Sequence, residues 1–283
     1  MHSEFKGFSV VEVLIALALS SIVLVGITQI YLSTKKVFYT QEDLSRLQEN
    51  GRFANCILTR NIRMAGYGGC IKSSLPNGLK GYNSNNLPDY LQDKVAPGTD
   101  VIVIDKADSG MTGLTEDING STNIIKVQNN PATKGNPWLF ISDCKHSNKF
   151  KALNFASKTI TTETELKDYK KLDTEIAHYT KVTYFIGQTP YKDKIGKPVY
   201  ALYSITNNGN KEELIDGISN MQIKYGVDTD GNGIVNNYYS ANEVADWNKV
   251  LSVYITLYLD TDKGKTKQWK TYIALKQRVK ARY

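Results

Sequence analysis

From Val13 to Thr34 the chain runs VLIALALSSIVLVGITQIYLST, without a single charged side chain. As a helix at roughly 1.5 Å per residue this stretch is about 33 Å long, enough to cross the hydrocarbon core of a bilayer. Behind it the pattern changes. Between Gln41 and Met64 the apolar residues Leu44, Leu47, Ala54, Leu58 and Ile62 recur at helical spacing, while Arg46, Glu49, Arg52 and Arg60 fall elsewhere around the helix. The two patterns predict one helix of about 55 residues, lipid-facing in front and packed on a soluble domain behind. Its end is expected at Ala65-Gly66-Tyr67-Gly68-Gly69-Cys70, where glycines supply positive φ. Gly51 lies inside the helical pattern, at a cost of about 1 kcal/mol against Ala, which a close packing contact or a bend would explain.

After residue 70 the periodicity becomes extended. Asp100–Asp105, Asn123–Val127 and Trp138–Ile141 are β-branched or aromatic runs bounded by Gly, Pro, Asn and Asp. Val182–Ile186, Tyr200–Ile205, Met221–Val227, Leu251–Leu259 and Trp269–Arg282 read as further strands, and Gly78–Gly98 as surface loop. Strands follow one another without intervening amphipathic helices. The expected fold class is therefore α+β: one long N-terminal helix, its front half transmembrane, on an antiparallel-rich β-sheet head.

Composition refines this picture only a little. The 283 residues suffice for a sizeable core, and a net charge of +7 admits an acidic partner or an anionic membrane surface without specifying either. Eighteen Tyr against eight Phe suggest an exposed, β-rich surface. A cleaved secretory signal would have a basic start, a shorter apolar stretch and a small-residue cleavage site. Here the apolar run is long and an amphipathic helix continues directly, so the segment is expected to be retained.

Glu12 stands at the front edge of the uncharged run. Carboxylates carried into a membrane are costly and are usually paired. The simplest partner is an N-terminal amine at the same depth, and a new terminus at Phe8 would lie one helical turn away. The run Lys6-Gly7-Phe8-Ser9-Val10-Val11-Glu12 resembles the type IV prepilin signature. That resemblance implies leader cleavage between Gly7 and Phe8, N-methylation of Phe8, and an assembly role for Glu12. A second resemblance narrows it. Leu47-Gln48-Glu49-Asn50-Gly51-Arg52-Phe53-Ala54 and Arg60-Asn61-Ile62-Arg63-Met64-Ala65-Gly66-Tyr67-Gly68-Gly69-Cys70 look like the PilW minor pilins. So do Ile141-Ser142-Asp143-Cys144, Tyr225-Gly226-Val227-Asp228-Thr229-Asp230-Gly231-Asn232-Gly233 and Val244-Ala245-Asp246-Trp247, whereas residues 145–215 are the least family-like.

The resemblance implies a type IV pilin-like organisation: a leader at 1–7, a transmembrane and filament-core helix at 8–34, its amphipathic continuation at 35–68, and a β-rich head at 69–283. It implies a minor pilin of pilus assembly or initiation, supporting motility, adhesion or DNA uptake. Implied partners are other minor and major pilins, the prepilin peptidase and methyltransferase, and inner-membrane assembly proteins. The chain would cross the inner membrane once with its head in the periplasm, and reach the pilus surface after assembly. The nearest alternative is a J-type pseudopilin of a type II secretion system, and a remote one is a membrane-anchored periplasmic enzyme.

Three further features invite chemistry. With the head outside the inner membrane a disulfide can persist. Cys70 closes the helix and Cys144 ends a strand, so these two are expected to pair, with Cys56 expected to be a small buried residue. Asp228, Asp230, Asn232, Ile234 and Asn236 reproduce the front of a calcium loop, with Gly233 at the sixth position and Tyr239 where a bidentate Glu would stand. Glu243 or Asp246 would have to supply that ligand, and an Asp/Asn/Gly hairpin loop explains the same residues. No cofactor is otherwise required. Finally, Lys276, Arg278, Lys280 and Arg282 alternate, forming one face of an extended strand that could meet nucleic-acid phosphates, an acidic subunit or only solvent. No serine-hydrolase, zinc-protease or phosphate-loop motif appears.

Overall fold

The computed structural model describes residues 7, 9–68, 78–108, 112–131, 137–143, 146–193, 196–207, 209–261 and 266–276. Among them is one α-helix, α1 (Val10–Arg63), followed by strands. These are β1 (Leu79–Tyr82), β2 (Val101–Ala107), β3 (Thr112–Gly113), β4 (Ile118–Lys126), β5 (Trp138–Ser142), β6 (Ser147–Ala156) and β7 (Thr159–Tyr169). Then come β8 (Glu175–Lys192), β9 (Pro198–Thr206), β10 (Lys211–Asp216), β11 (Ile218–Val227), β12 (Asn237–Tyr239), β13 (Val250–Asp260) and β14 (Thr266–Ala274). The α+β architecture expected from the patterning is the one observed, and it is pilin-like, as the resemblance implied. The chain divides into two compact units, residues 1–48 and 49–283.

In the second unit β8 is the spine. Its first residues pair with β5 (Leu139 opposite His178), and its middle lies between β2 (Ile102 opposite Tyr184) and β9 (Tyr184 opposite Ser204). The sequence EIAHYTKVTYFIGQTPYK is buried along most of its length, as a central strand covered on both faces must be. The larger sheet continues as β1-β2-β8-β5-β6-β7-β4, all antiparallel, with β10 beyond β9. Its buried side chains pack in separate apolar clusters. Phe150, Ile160, Leu166 and Tyr169 fill one, and Leu91, Val103, Phe185 and Tyr203 another, where the Phe185 and Tyr203 rings stack 5.8 Å apart.

The smaller sheet has the order β12-β11-β13-β14. Val253, Ile255, Leu257 and Ile273 alternate into its buried face. The residues of α1 that belong to this unit lie against it, with Ala54, Leu58 and Ile62 almost wholly buried. Gly51 is explained by the same contact: a Cβ there would come 2.7 Å from Cε3 of Trp269, so the missing side chain is the seat of an indole. Asn55 Oδ1 accepts from the Thr271 hydroxyl at 2.6 Å, and Asn50 donates to the carbonyl and the carboxylate of Asp216, each at 3.1 Å. After Arg63 the chain turns through Gly66 at φ 75°, the left-handed conformation expected of a helix-ending glycine.

The structure also corrects several expectations. Residues 78–98 include β1 and a short 3-10 turn at Asp89–Leu91, whose Leu91 is fully buried. The stretch at 147–169, which gave no strand signal, forms β6 and β7. Leu44 is 42% exposed although it shares the spacing of the buried stripe. Cys56 is exposed, not buried, because it faces away from the side of α1 marked by Ala54 and Leu58. Five tyrosines, 169, 179, 184, 203 and 225, are buried, so tyrosine here is a core residue as well as a surface one.

Candidate functional site

The first site is the start of α1. Ser9 accepts at its carbonyl from the Glu12 and Val13 amides, 3.0 and 3.2 Å, which closes the first turn and fixes Glu12 inside it. An acidic side chain there is favoured by the free N–H groups of the helix N-terminus. Gly7 is exposed, and Phe8 lies outside the described residues. Behind Glu12 the apolar surface is bare: Leu17, Ile22, Leu24 and Ile30 are each at least 62% exposed. The most apolar 18-residue window has a mean hydropathy of 2.7 and none of it is buried.

Three hydroxyls in this stretch are satisfied internally. Ser20, Ser21 and Thr28 donate to the carbonyls of Ala16, Ala18 and Leu24 at 2.6, 2.8 and 2.8 Å. A hydroxyl so bonded needs no water, which is the condition for placing it in hydrocarbon. The segment is thus suited to lipid or to other apolar helices.

The second site is the loop Asp228–Asn236, and it is held by the acidic residues themselves. Asp228 is 7% exposed and accepts from the amides of Gly231 and Gly233, both at 2.7 Å. Burial acts to raise its carboxyl, but the amides of Gly233 and Gly231, helped by Asp230 and the Asn232 amide, hold it below the ordinary carboxylate value. Asp230 accepts from Asn232 and Asn236, Asn232 accepts from the Ile234 amide at 2.7 Å, and Asn236 from the Thr229 amide at 2.7 Å. Cation uptake would have to exchange these hydrogen bonds for coordination. Glu243 and Asp246 are engaged in capping the two following 3-10 turns, through Ser240 N–H at 2.8 Å and Asn248 N–H at 2.9 Å. Lys249 Nζ lies 3.3 Å from the Thr229 carbonyl.

The quoted sequence blocks meet here. The Tyr225 and Trp247 rings meet in a T-shaped arrangement, centroids 4.8 Å apart, and the Tyr225 hydroxyl lies against Gly81. Burial, then the charge of Asp100, pushes the Tyr225 hydroxyl far above its ordinary pKa. Blocks separated in sequence by some twenty residues therefore form one structural knot beneath the loop.

The basic C-terminal stripe is corrected in part. β14 ends at Ala274, and Lys276 stands in a turn whose amide donates to the Arg63 carbonyl at 3.0 Å. Lys276 is thus not on a strand face, because β14 is anchored to the end of α1 before reaching it. Arg278, Lys280 and Arg282 lie outside the described residues, as do Cys70 and Cys144. What sequence reading missed is that Arg60, Arg63 and Lys106 surround Lys276. Three segments distant in the chain supply them, and no local pattern signals it. Among the described residues no three His, Cys, Asp or Glu side chains gather as a metal cluster.

Comparison with known families adds to this geometry at both ends of the chain. The prokaryotic N-terminal methylation motif matches residues 3–28, around Glu12 and the bare helix, and with that apolar helix it supports the membrane anchoring of a pilin. The Type IV Pilus-assembly protein W family, PilW, matches residues 183–282, from the second half of β8 through the small sheet. Together the two matches support a PilW-like type IV pilin with a part in pilus assembly. Both families point to a structural rather than an enzymatic protein. No curated protein and no solved structure was found to match.

Proposed function

We propose that the chain is a minor pilin that helps to initiate or build the type IV pilus and so supports motility, adhesion or DNA uptake. The observation that carries this is the front of α1: an apolar helix with no cover of its own, headed by Glu12 in its first turn. In this reading a peptidase cuts between Gly7 and Phe8 and a methyltransferase modifies Phe8. The new amine of one subunit then pairs with Glu12 of a neighbour in the filament core. The head lies in the periplasm before assembly and on the pilus afterwards, in contact with other minor and major pilins, and inner-membrane assembly proteins deliver it. A Cys70–Cys144 disulfide belongs to the same reading, as does a candidate calcium site at Asp228, Asp230, Asn232, Ile234 and Asn236, which a calcium-dependent rise in Tm would support.

The test is a clean deletion strain scored for surface pili and for secreted enzymes side by side. Lost pili with normal secretion is the expected result. Normal pili with blocked secretion would make the chain a J-type pseudopilin. The match of the PilW family to the head favours the first outcome.

A further inference from the structure

In the second unit, a cleft of about 550 Å³ opens where the end of α1 meets β2 and the turn after β14. Four cationic side chains line it, Arg60, Arg63, Lys106 and Lys276, together with the Tyr67 ring and one carboxylate, Asp108. The walls are tied to each other through the backbone. Lys276 N–H donates to Arg63 O at 3.0 Å, Gly66 N–H to Asp105 O at 2.8 Å, and Ala107 N–H to Tyr67 O at 2.6 Å. The cations are therefore presented by rigid elements rather than by loose loops.

Their charge is poorly matched within the chain. Asp108 lies 4.0 Å from Lys106 and also accepts from Thr180 at 3.4 Å. Lys276 faces the Tyr67 ring, 5.9 Å from its centroid. Among the described residues Arg60, Arg63 and Lys276 make no ion pair with a carboxylate. The carbonyls at the end of α1 account for favouring Arg60 and Arg63. They do not account for Lys106, whose side chain is only 17% exposed, or for Lys276 closing the opposite wall.

We propose that this cleft docks a carboxylate-bearing segment of a partner subunit, an inference that rests on the pilus-assembly reading above. Paired guanidinium groups match carboxylates in bidentate geometry, and a half-buried lysine rewards a group that reaches inward. The cations cluster at one place, supplied by the end of α1, β2 and the turn after β14, with Asp108 among them. A local cluster of this kind suits a single projecting Asp or Glu better than a continuous phosphate backbone, which is held along an extended row of cations.

The experiment uses the full chain in detergent and a fluorescein-labelled hexaglutamate peptide, read by anisotropy at 50 and 200 mM salt. A single-stranded thymidine decamer serves as the phosphate probe. The peptide should bind, with affinity falling at least tenfold in Arg60→Gln/Arg63→Gln and several-fold in Lys276→Gln. It should be unchanged in Lys224→Gln, which removes an exposed cation of β11 elsewhere on the head. Thermal melts close to wild type would show that the variants fold, as expected for exposed side chains. No peptide binding, equal loss in Lys224→Gln, or tighter binding of the oligonucleotide than of the peptide would each overturn the proposal. A deletion strain with normal pili would overturn the pilus reading separately, since the peptide assay does not depend on it.

Discussion

Leu24 and Leu58 occupy the same helix and have opposite surroundings. Leu24 is 68% exposed and Leu58 is 1% exposed, although both sit in unbroken α-helical backbone. The difference lies in what each stretch is able to bury. Around Leu58 the apolar residues form one stripe, so one sheet covers them and the charged residues stay in water. Around Leu24 the helix is apolar on every side, and a surface of that kind is satisfied only by lipid or by several neighbouring helices. The rear of α1 is completed by its own chain, and the front awaits an environment the chain does not contain.

That contrast can be broken most sharply by truncating both leucines. Leu58→Ala should destabilise the head by about 2–5 kcal/mol, the usual cost of a cavity in a packed core, measured by thermal or denaturant unfolding of the full chain in detergent. Leu24→Ala should leave the same transition within about 0.5 kcal/mol. Equal losses would mean that the front is also part of the folded core.

Gly51→Ala sharpens the comparison at a single atom. Helix propensity favours Ala by about 1 kcal/mol, but the new Cβ would meet Trp269 at 2.7 Å. Overpacking should win, for a net loss of about 1–2 kcal/mol. In a Trp269→Leu background the same change should become neutral or stabilising, and a double-mutant cycle reads the difference.

A smaller effect concerns pH. Because Asp228 is held below its unfolded value of about 3.9, its stabilisation is present above that pH and is lost as pH falls through the folded value. Asp100 has the opposite sign, since burial raises it against the Ile223 N–H bond that lowers it. Tm should therefore fall on acidification below about pH 4, and less steeply in Asp228→Asn, the difference between the two curves isolating Asp228. Parallel curves would show that the loop hydrogen bonds do not hold the carboxylate ionised.

Much of this was legible because strong periodicity leaves little choice. The uncharged run and the stripe through Leu47, Ala54, Leu58 and Ile62 define the helix, and β2, β5, β9, β11 and β13 announce themselves as β-branched runs. β6 and β7 did not, for a physical reason. SNKFKALNFA and TITTETELKDY bury only some of their side chains, such as Phe150, Ile160 and Leu166, and carry Lys, Asn, Thr and Glu on the remainder. Such strands are specified by their neighbours more than by their own composition. Glu12 was legible from position alone. The indole seated on Gly51 and the four cations around the cleft were not, since each contact joins residues far apart in sequence.

The most direct test of the account is the amount of Glu12→Ala chain in sheared surface pili relative to the membrane fraction, with leader processing followed in parallel. The account predicts normal processing, unchanged membrane levels and at least tenfold less chain in the pili. Equal incorporation of the variant would contradict it, because the bare front of α1 would then assemble without the one charge placed at its head.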